Sequence, residues 1–197
     1  GETPFSLLPK ILRKQPDVLV VPDISDKSTM ELLCEAARED HLVFVTIPAK
    51  EAVESLVRVL LLKVPAKDFA PRAIGVLNQR LVRKLCEVCR EAYEPPESLL
   101  KKLGIPAGRV DHLYRHPENP EDVCPECHGI GYIGRTAIFE LLVVDETVRD
   151  VLIQQPKMEI LRKAARKAGC RNLQEEGILA VIKGVTSLPE LMRVLKQ

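Results

Sequence analysis

Two Cys-x-x-Cys pairs dominate the chemistry this chain can perform. Cys86-Glu-Val-Cys89 is followed, thirty-four residues later, by Cys124-Pro-Glu-Cys127. A two-residue gap aims both thiolates of a pair at one ion, and two such pairs close a four-thiolate shell. Zinc prefers that tetrahedral arrangement, and a shell with no open position serves structure rather than catalysis. Iron in a rubredoxin-like site accepts the same four thiolates. Reduced cysteines without metal, or two disulfides, are the remaining readings. His112, His116 and His128 lie in the same region but are not needed to fill a shell of four cysteines. A second candidate group is Pro22-Asp23-Ile24-Ser25-Asp26, which follows an apolar run at the strand end where open α/β sheets carry their chemistry. Its plainer reading is a pair of turn-forming aspartates.

Glycines after the second pair form a third candidate. Gly129-Ile-Gly131-Tyr-Ile-Gly134-Arg135-Thr136 satisfies Gly-x-Gly-x-x-Gly literally and approaches a phosphate loop, with Arg where that loop has Lys. Either motif needs a strand before it and a helix after it, so that backbone amides and the helix dipole face the phosphates. Here a cysteine pair precedes and the β-like run 137–142 follows. These glycines are therefore expected to make tight turns around a metal.

The elements that must position these groups read as α/β. Thr3-Pro4 opens a helix, which Pro9 should kink or shorten before Pro16-Asp17. Val18-Leu19-Val20-Val21 reads as a strand buried on both faces. Ser28-x-x-Glu31 reads as a capping box opening the next helix. Leu42-Val-Phe-Val-Thr46 is a second strand, and residues 52–62 a strongly apolar helix. Strand, helix, strand, helix is a parallel-sheet pattern, and two strands require completion from outside. From 71 to 85, Ile74, Leu77, Leu81, Val82 and Leu85 recur at a spacing that predicts a helix, with Arg80, Arg83, Lys84 and Arg90 on a solvated basic side. Residues 95–120 read as an exposed connector holding a short helix near 99–103. The tail reads as helices: one capped by Asp145, one over 158–168 closed by Gly169, one over 173–182, and a last one opened by a Ser187-x-x-Glu190 capping box.

Composition narrows the function. At 197 residues the chain is one large or two small domains. A net charge of +1 and 4% aromatic residues with no Trp argue against a nucleic-acid surface. No apolar run reaches the length of a membrane span, and the N-terminus lacks a signal-peptide pattern. Cysteines in metal spacing point to a reducing compartment. Cys34 and Cys170 read as small apolar residues in helical patterns.

Three long runs resemble the C-terminal half of the type II secretion and type IV pilus assembly ATPases, the general secretion pathway protein E family. They are Gln79-Arg-Leu-Val-Arg-Lys-Leu-Cys86-x-x-Cys89, then Cys124-Pro-Glu-Cys127-x-x-x-Gly131-Tyr132-x-Gly134-Arg135-Thr136-x-x-Phe139-Glu140, then Gly184-Val-Thr186-Ser-x-x-Glu190-x-x-Arg193-Val194. The resemblance implies the second half of a RecA-like parallel-sheet core at 1–70, a helix and four-cysteine zinc subdomain at 71–143, and a helical subdomain at 144–197. It also implies a cytoplasmic homo-oligomer, a hexamer in the family, at the bacterial inner membrane. Its implied partners are the secretion or pilus platform protein and other secretion components, without membrane insertion.

The same resemblance exposes departures. In the Walker B segment, Gln15 to Asp26, the family's Gly-Glu-Ile-Arg-Asp becomes Pro22-Asp23-Ile24-Ser25-Asp26. Asp23 thus stands where the catalytic Glu belongs, and Asp26 keeps its acid. In the histidine box, His41 and Thr46 are kept for the nucleotide site while Pro48 replaces the second His. No true phosphate loop lies within these residues. ATP and magnesium are therefore expected only if an upstream half completes the site. The expected role is a non-hydrolysing module acting in assembly or docking. The alternatives are part of an active motor whose phosphate-loop half lies elsewhere and, third, a zinc-ribbon nucleic-acid binder.

Overall fold

The computed structural model describes residues 3–106, 108–118 and 122–196. In chain order the elements are α1 (Pro4–Leu12), β1 (Val18–Val21), α2 (Lys27–Arg38), β2 (Leu42–Val45), α3 (Ala52–Leu61), α4 (Ala66–Phe69) and β3 (Gly75–Leu85). There follow β4 (Glu91–Tyr93), α5 (Glu97–Lys102), β5 (Leu113–Arg115), β6 (Tyr132–Val143), α6 (Glu146–Gln154), α7 (Met158–Lys167), α8 (Leu173–Ile182) and α9 (Leu188–Leu195). Two compact units arise, each from two stretches of chain: Gly1–Asn78 with Leu141–Cys170, and Gln79–Glu140 with Arg171–Gln197. The boundaries expected at 70 and 143 cut the chain in sequence order, whereas each unit draws on separated segments.

In the first unit β1 and β2 pair in parallel, Val18 opposite Leu42 through Val21 opposite Val45. Leu19 and Val21 are buried, but Val18 and Val20 are 49% and 68% exposed. The strand is therefore covered on one face, not both as its continuous apolar run implied. The helices share a buried cluster with the covered face: Val21 joins Leu33 of α2, Leu56 of α3, Leu152 of α6 and Leu161 of α7. Pro9 sits inside α1 without ending it, and Thr3 and Ser6 cap the first turn reciprocally. The N-cap of α2 is Asp26, not Ser28. Its carboxylate accepts from the Thr29 amide at 2.8 Å and the Thr29 hydroxyl at 2.7 Å. A carboxylate two residues ahead of Ser28 is the stronger acceptor for the positive end of the helix. Asp145 caps α6 by accepting from the Val148 amide, as its position predicts.

The expected helix over 71–85 is a strand. β3 alternates with period two: Asn78 and Val82 are buried, Leu77 and Leu81 exposed. It runs antiparallel to β6, since the Val144 amide bonds the Ile74 carbonyl at one end and the Cys86 amide bonds the Gly131 carbonyl at the other. Its partner β6 extends the β-like run expected at 137–142 in both directions.

The second unit adds a hairpin that the connector concealed, with Glu91 opposite Arg115 and Tyr93 opposite Leu113. The short helix is α5, beginning two residues earlier than expected; residues 107, 119 and 120 of the connector lie outside the described residues. Val82, Leu113 and Ile138 form a cluster with Val181 of α8 and with Leu191 and Val194 of α9. Helices α8 and α9 meet at Gly177, where a Cβ would stand 2.2 Å from a Leu191 methyl, so a larger residue requires that buried side chain to shift. The last helix packs inside the unit through Leu191 and Val194. Among the described residues no helix is long and apolar enough to cross a membrane. Cys34 is buried within α2, whereas Cys170 lies beyond α7 and bonds its amide to the Ala165 carbonyl.

Candidate functional site

The two cysteine pairs converge in the second unit. All four sulfurs lie within 4.8 Å of one another. Cys86 Sγ is 3.9 Å from Cys124 Sγ, and Cys89 Sγ is 3.5 Å from Cys127 Sγ. A tetrahedral shell with zinc–sulfur bonds of ~2.3 Å has edges of about 3.8 Å. A disulfide would need ~2.05 Å. All six cysteines are free, so the sulfur spacing fits a metal shell and not a disulfide pair. Cys86, Cys124 and Cys127 are buried and Cys89 is half-buried.

The chain delivers these thiols by strand ends and tight turns. Cys86 follows the last residue of β3, and Arg90 closes the first knuckle by donating its amide to the Cys86 carbonyl at 3.0 Å. The second knuckle closes through the His128 amide on the Cys124 carbonyl and the Ile130 amide on the Cys127 carbonyl. His128 and Gly131 both take left-handed backbone conformations, with φ of 51° and 77°. At Gly131 a Cβ would stand 2.4 Å from that of His116, so glycine is required there twice over. This geometry lets the Gly131 amide donate to Cys127 Sγ at 3.2 Å. Burial opposes ionisation of Cys127, but that amide, with the neighbouring thiols, lowers its pKa to about 7. Burial, and hydrogen bonding to Cys127, push the Cys89 thiol up instead.

Among the described residues the cluster contains no histidine. His116 bonds the Pro117 carbonyl through Nδ1 at 2.8 Å. The glycine run from 129 leads into β6 and not into a helix, so its amides cannot form a phosphate cradle with a helix N-terminus.

In the first unit the sheet separates the other expected site residues. Asp23 and Asp26 lie past the C-terminal end of β1. Asp23 has a left-handed φ of 52°, and its amide donates to Thr46 Oγ1 at 2.9 Å. Asp26 has both oxygens engaged by Thr29, whose amide above all, then its hydroxyl, holds the carboxyl below its usual range. His41 precedes β2 and its Nδ1 bonds the Pro16 carbonyl at 2.6 Å, at the opposite end of the parallel sheet. Thr46 therefore joins Asp23 at that end of the sheet, while His41 does not.

Sequence reasoning missed a heavily bonded residue of the second unit. Glu190, read as a capping-box partner, has a side chain with no exposed surface. One oxygen accepts from the Arg83 amide at 3.0 Å and the other from Arg83 Nη2 at 2.7 Å; Arg193 donates to both. Arg193, then Arg83, hold its carboxyl far below the usual carboxylate range. Arg83 and Arg90, expected on a solvated face, are engaged: Arg83 on Glu190, Arg90 on the Gly184 carbonyl and over the Tyr114 ring.

The fold so defined matches part of the structures of known ATPases. The X-ray structure of the Legionella pneumophila ATPase DotB aligns with a TM-score of 0.64 at 18% identity, covering 97% of this chain and 42% of that one. The pilus retraction motor PilT with bound ADP aligns at 0.63 and 18%, covering 98% and 43%. At that identity the likeness concerns fold alone. The sequence pattern described as Type II/IV secretion system protein matches residues 2–193, and this chain belongs to that family of secretion and pilus assembly ATPases. The Type IV pilus assembly ATPase PilB of Thermus thermophilus is 34% identical over 194 residues, which cover 98% of this chain and 21% of that protein. The Type II secretion system protein E of Pseudomonas aeruginosa is 33% identical over 187 residues, covering 95% and 36%. The chain thus spans between a fifth and two fifths of these relatives.

Proposed function

We propose that this chain is a structural, zinc-bearing module of a secretion or pilus assembly ATPase that does not hydrolyse ATP by itself. Cys86, Cys89, Cys124 and Cys127 hold one zinc ion, which supplies folding energy in a closed shell. The module acts in assembly, docking to the cytoplasmic side of the inner-membrane platform with other secretion components and joining a homo-oligomer, a hexamer in the family pattern. The observation that carries the non-hydrolysing part is the engagement of Asp26 by both its oxygens as a helix cap. A carboxylate so employed is poorly placed to hold magnesium. Asp23 adds to this: it is one methylene shorter than Glu, and a displacement of ~1 Å can cost ~100-fold. Hydrolysis also needs amides and a Lys around the phosphates, and no such loop lies within these 197 residues.

A second reading has its own support. Thr46, matched to the histidine box, bonds the amide of Asp23, so two motif segments of the family meet at one sheet end. Completed by a phosphate-loop half, that end would use Asp23 in place of Glu. Phosphate release and nucleotide binding decide between the two, measured on this chain and on a chimera carrying the phosphate-loop half of an active relative. The expected result is no turnover by either. Turnover by this chain alone overturns the proposal, and turnover by the chimera that is lost in Asp23→Ala establishes the second reading.

A further inference from the structure

Residues 184–190, joining α8 to the first turn of α9, bond the chain on the flanks of both cysteine pairs. The Gly184 carbonyl accepts from Arg90, one residue past Cys89, at 2.8 Å. The Val185 carbonyl accepts from the amide of Leu85, one residue before Cys86, at 2.9 Å. Thr186 Oγ1 donates to the Arg83 carbonyl at 2.8 Å. Ser187 Oγ and the hydroxyl of Tyr132, five residues past Cys127, meet at 2.6 Å. Glu190 then grips Arg83 through its backbone amide and its guanidinium, and that guanidinium lies 4.2 Å over the Tyr132 ring. Thr186, Ser187 and Glu190 are all buried to 1% exposure or less.

A helix start needs none of this beyond Ser187, which already caps α9 by accepting from the Glu190 amide. Had Glu190 served only as a capping-box partner, its carboxylate would turn back to the Ser187 amide. It is spent instead on the strand that ends at Cys86. Burying a charge is unfavourable unless it is paired and fully bonded, and this one meets that condition with groups that orient the metal-bearing loops.

We propose that residues 184–190 form a strap that positions the metal centre, with Glu190 as its principal positioning residue. The proposal rests on the zinc reading above and deepens it. Groups that orient ligands from outside the shell govern metal affinity by ~10–100-fold. The strap acts on the residues flanking the ligands, so the lower end of that range applies.

The test uses the full chain loaded with zinc, competed by a chromogenic chelator, and loaded separately with cobalt(II) for its ligand-field spectrum. Glu190→Gln and Tyr132→Phe are compared with wild type, with Glu51→Gln in the other unit as control. Both strap variants should bind zinc ~10-fold more weakly, with altered cobalt bands and unchanged helix content, while the control does neither. A role confined to global stability would leave the cobalt spectrum of the folded protein unchanged, and that result overturns the proposal, as does unaltered zinc affinity in both variants. Should Glu190→Gln fail to fold, Tyr132→Phe decides alone, since it removes one hydrogen bond and keeps the ring beneath Arg83. If wild type takes up no zinc, the zinc reading falls. The strap proposal, which rests on that reading, then falls with it, whereas zinc uptake by wild type with unaltered affinity in both variants overturns the strap alone.

Discussion

Each unit contains an arginine–glutamate pair joining residues more than a hundred positions apart, and the two pairs differ in kind. Glu51 and Arg162 in the first unit are 111 residues apart, with side chains 28% and 53% exposed. Arg83 and Glu190 in the second are 107 apart, and the glutamate side chain is 0% exposed. The first unit closes through aliphatic residues of α2, α3, α6 and α7, so its ion pair lies outside a core that needs no help. The second has a small apolar cluster of Val82, Leu113, Ile138 and the inner residues of α8 and α9. A buried carboxylate lies beside that cluster, and on the zinc reading proposed above the four converging thiols add to what packing supplies. Similar pairs in sequence terms thus carry different weight according to what surrounds them.

That contrast is most sharply broken by removing the metal ligands. Structural zinc contributes about 10–16 kcal/mol in small modules, so Cys86→Ser should abolish amide protection across the second unit while β1 and β2 keep theirs. Hydrogen exchange reads this directly, and uniform loss in both units would erase the distinction. Next, Glu190→Ala should destabilise the second unit by about 2–4 kcal/mol in urea titrations, since it leaves two arginines unpaired. Its pH dependence has a definite sign. The folded pKa of Glu190 lies far below its ordinary value of 4.5, so the contribution is complete above that pH and fades as pH falls below it. Subtracting the acid profile of Glu190→Gln from that of wild type isolates this loss from protonation of the thiolates, which both share. A difference independent of pH would show the carboxylate charge to be irrelevant.

Smaller effects belong to the first unit. Asp26→Ala removes the cap of α2 and should cost about 1 kcal/mol there. Its carboxyl is held below 3.8, so this contribution too is present above that pH and lost beneath it. The smallest change is expected from Glu51→Gln, ~0.2–1 kcal/mol, shrinking further in high salt. A larger value would place that pair in the same class as Arg83–Glu190.

The features legible in the sequence were those set by neighbours. The cysteine spacing, the caps at Asp145 and Ser187, and the extents of α3, α7 and α8 depend on residues within a turn of each other, whereas α9 begins at Leu188 and not at the expected Leu191. β3 was misread because Leu77 and Leu81 are apolar yet outward, while the inward position beside Leu77 is taken by Asn78, whose amide bonds the Lys50 carbonyl at 2.9 Å. An apolar count over such a strand mimics helical spacing. The β4–β5 hairpin was hidden because three-residue strands leave no period to detect. His41 sits in a family motif, but a motif does not state which end of a strand it occupies. Glu190 satisfied a local capping rule so well that nothing in its vicinity pointed to Arg83.

The separation between Arg83 and Glu190 also sets an order of events during synthesis. At roughly 5–20 residues per second, about 5–20 s pass between the incorporation of one partner and of the other. All four thiols are made within that interval, before the carboxylate that clasps their flanks exists. A nascent chain therefore carries its cysteines in an unclamped state, open to oxidation or to capture of other ions. The ribosome must finish α9 before the second unit can close, so chains that stop short of residue 186 should be recognised by proteases as unfinished, whatever the condition of the first unit.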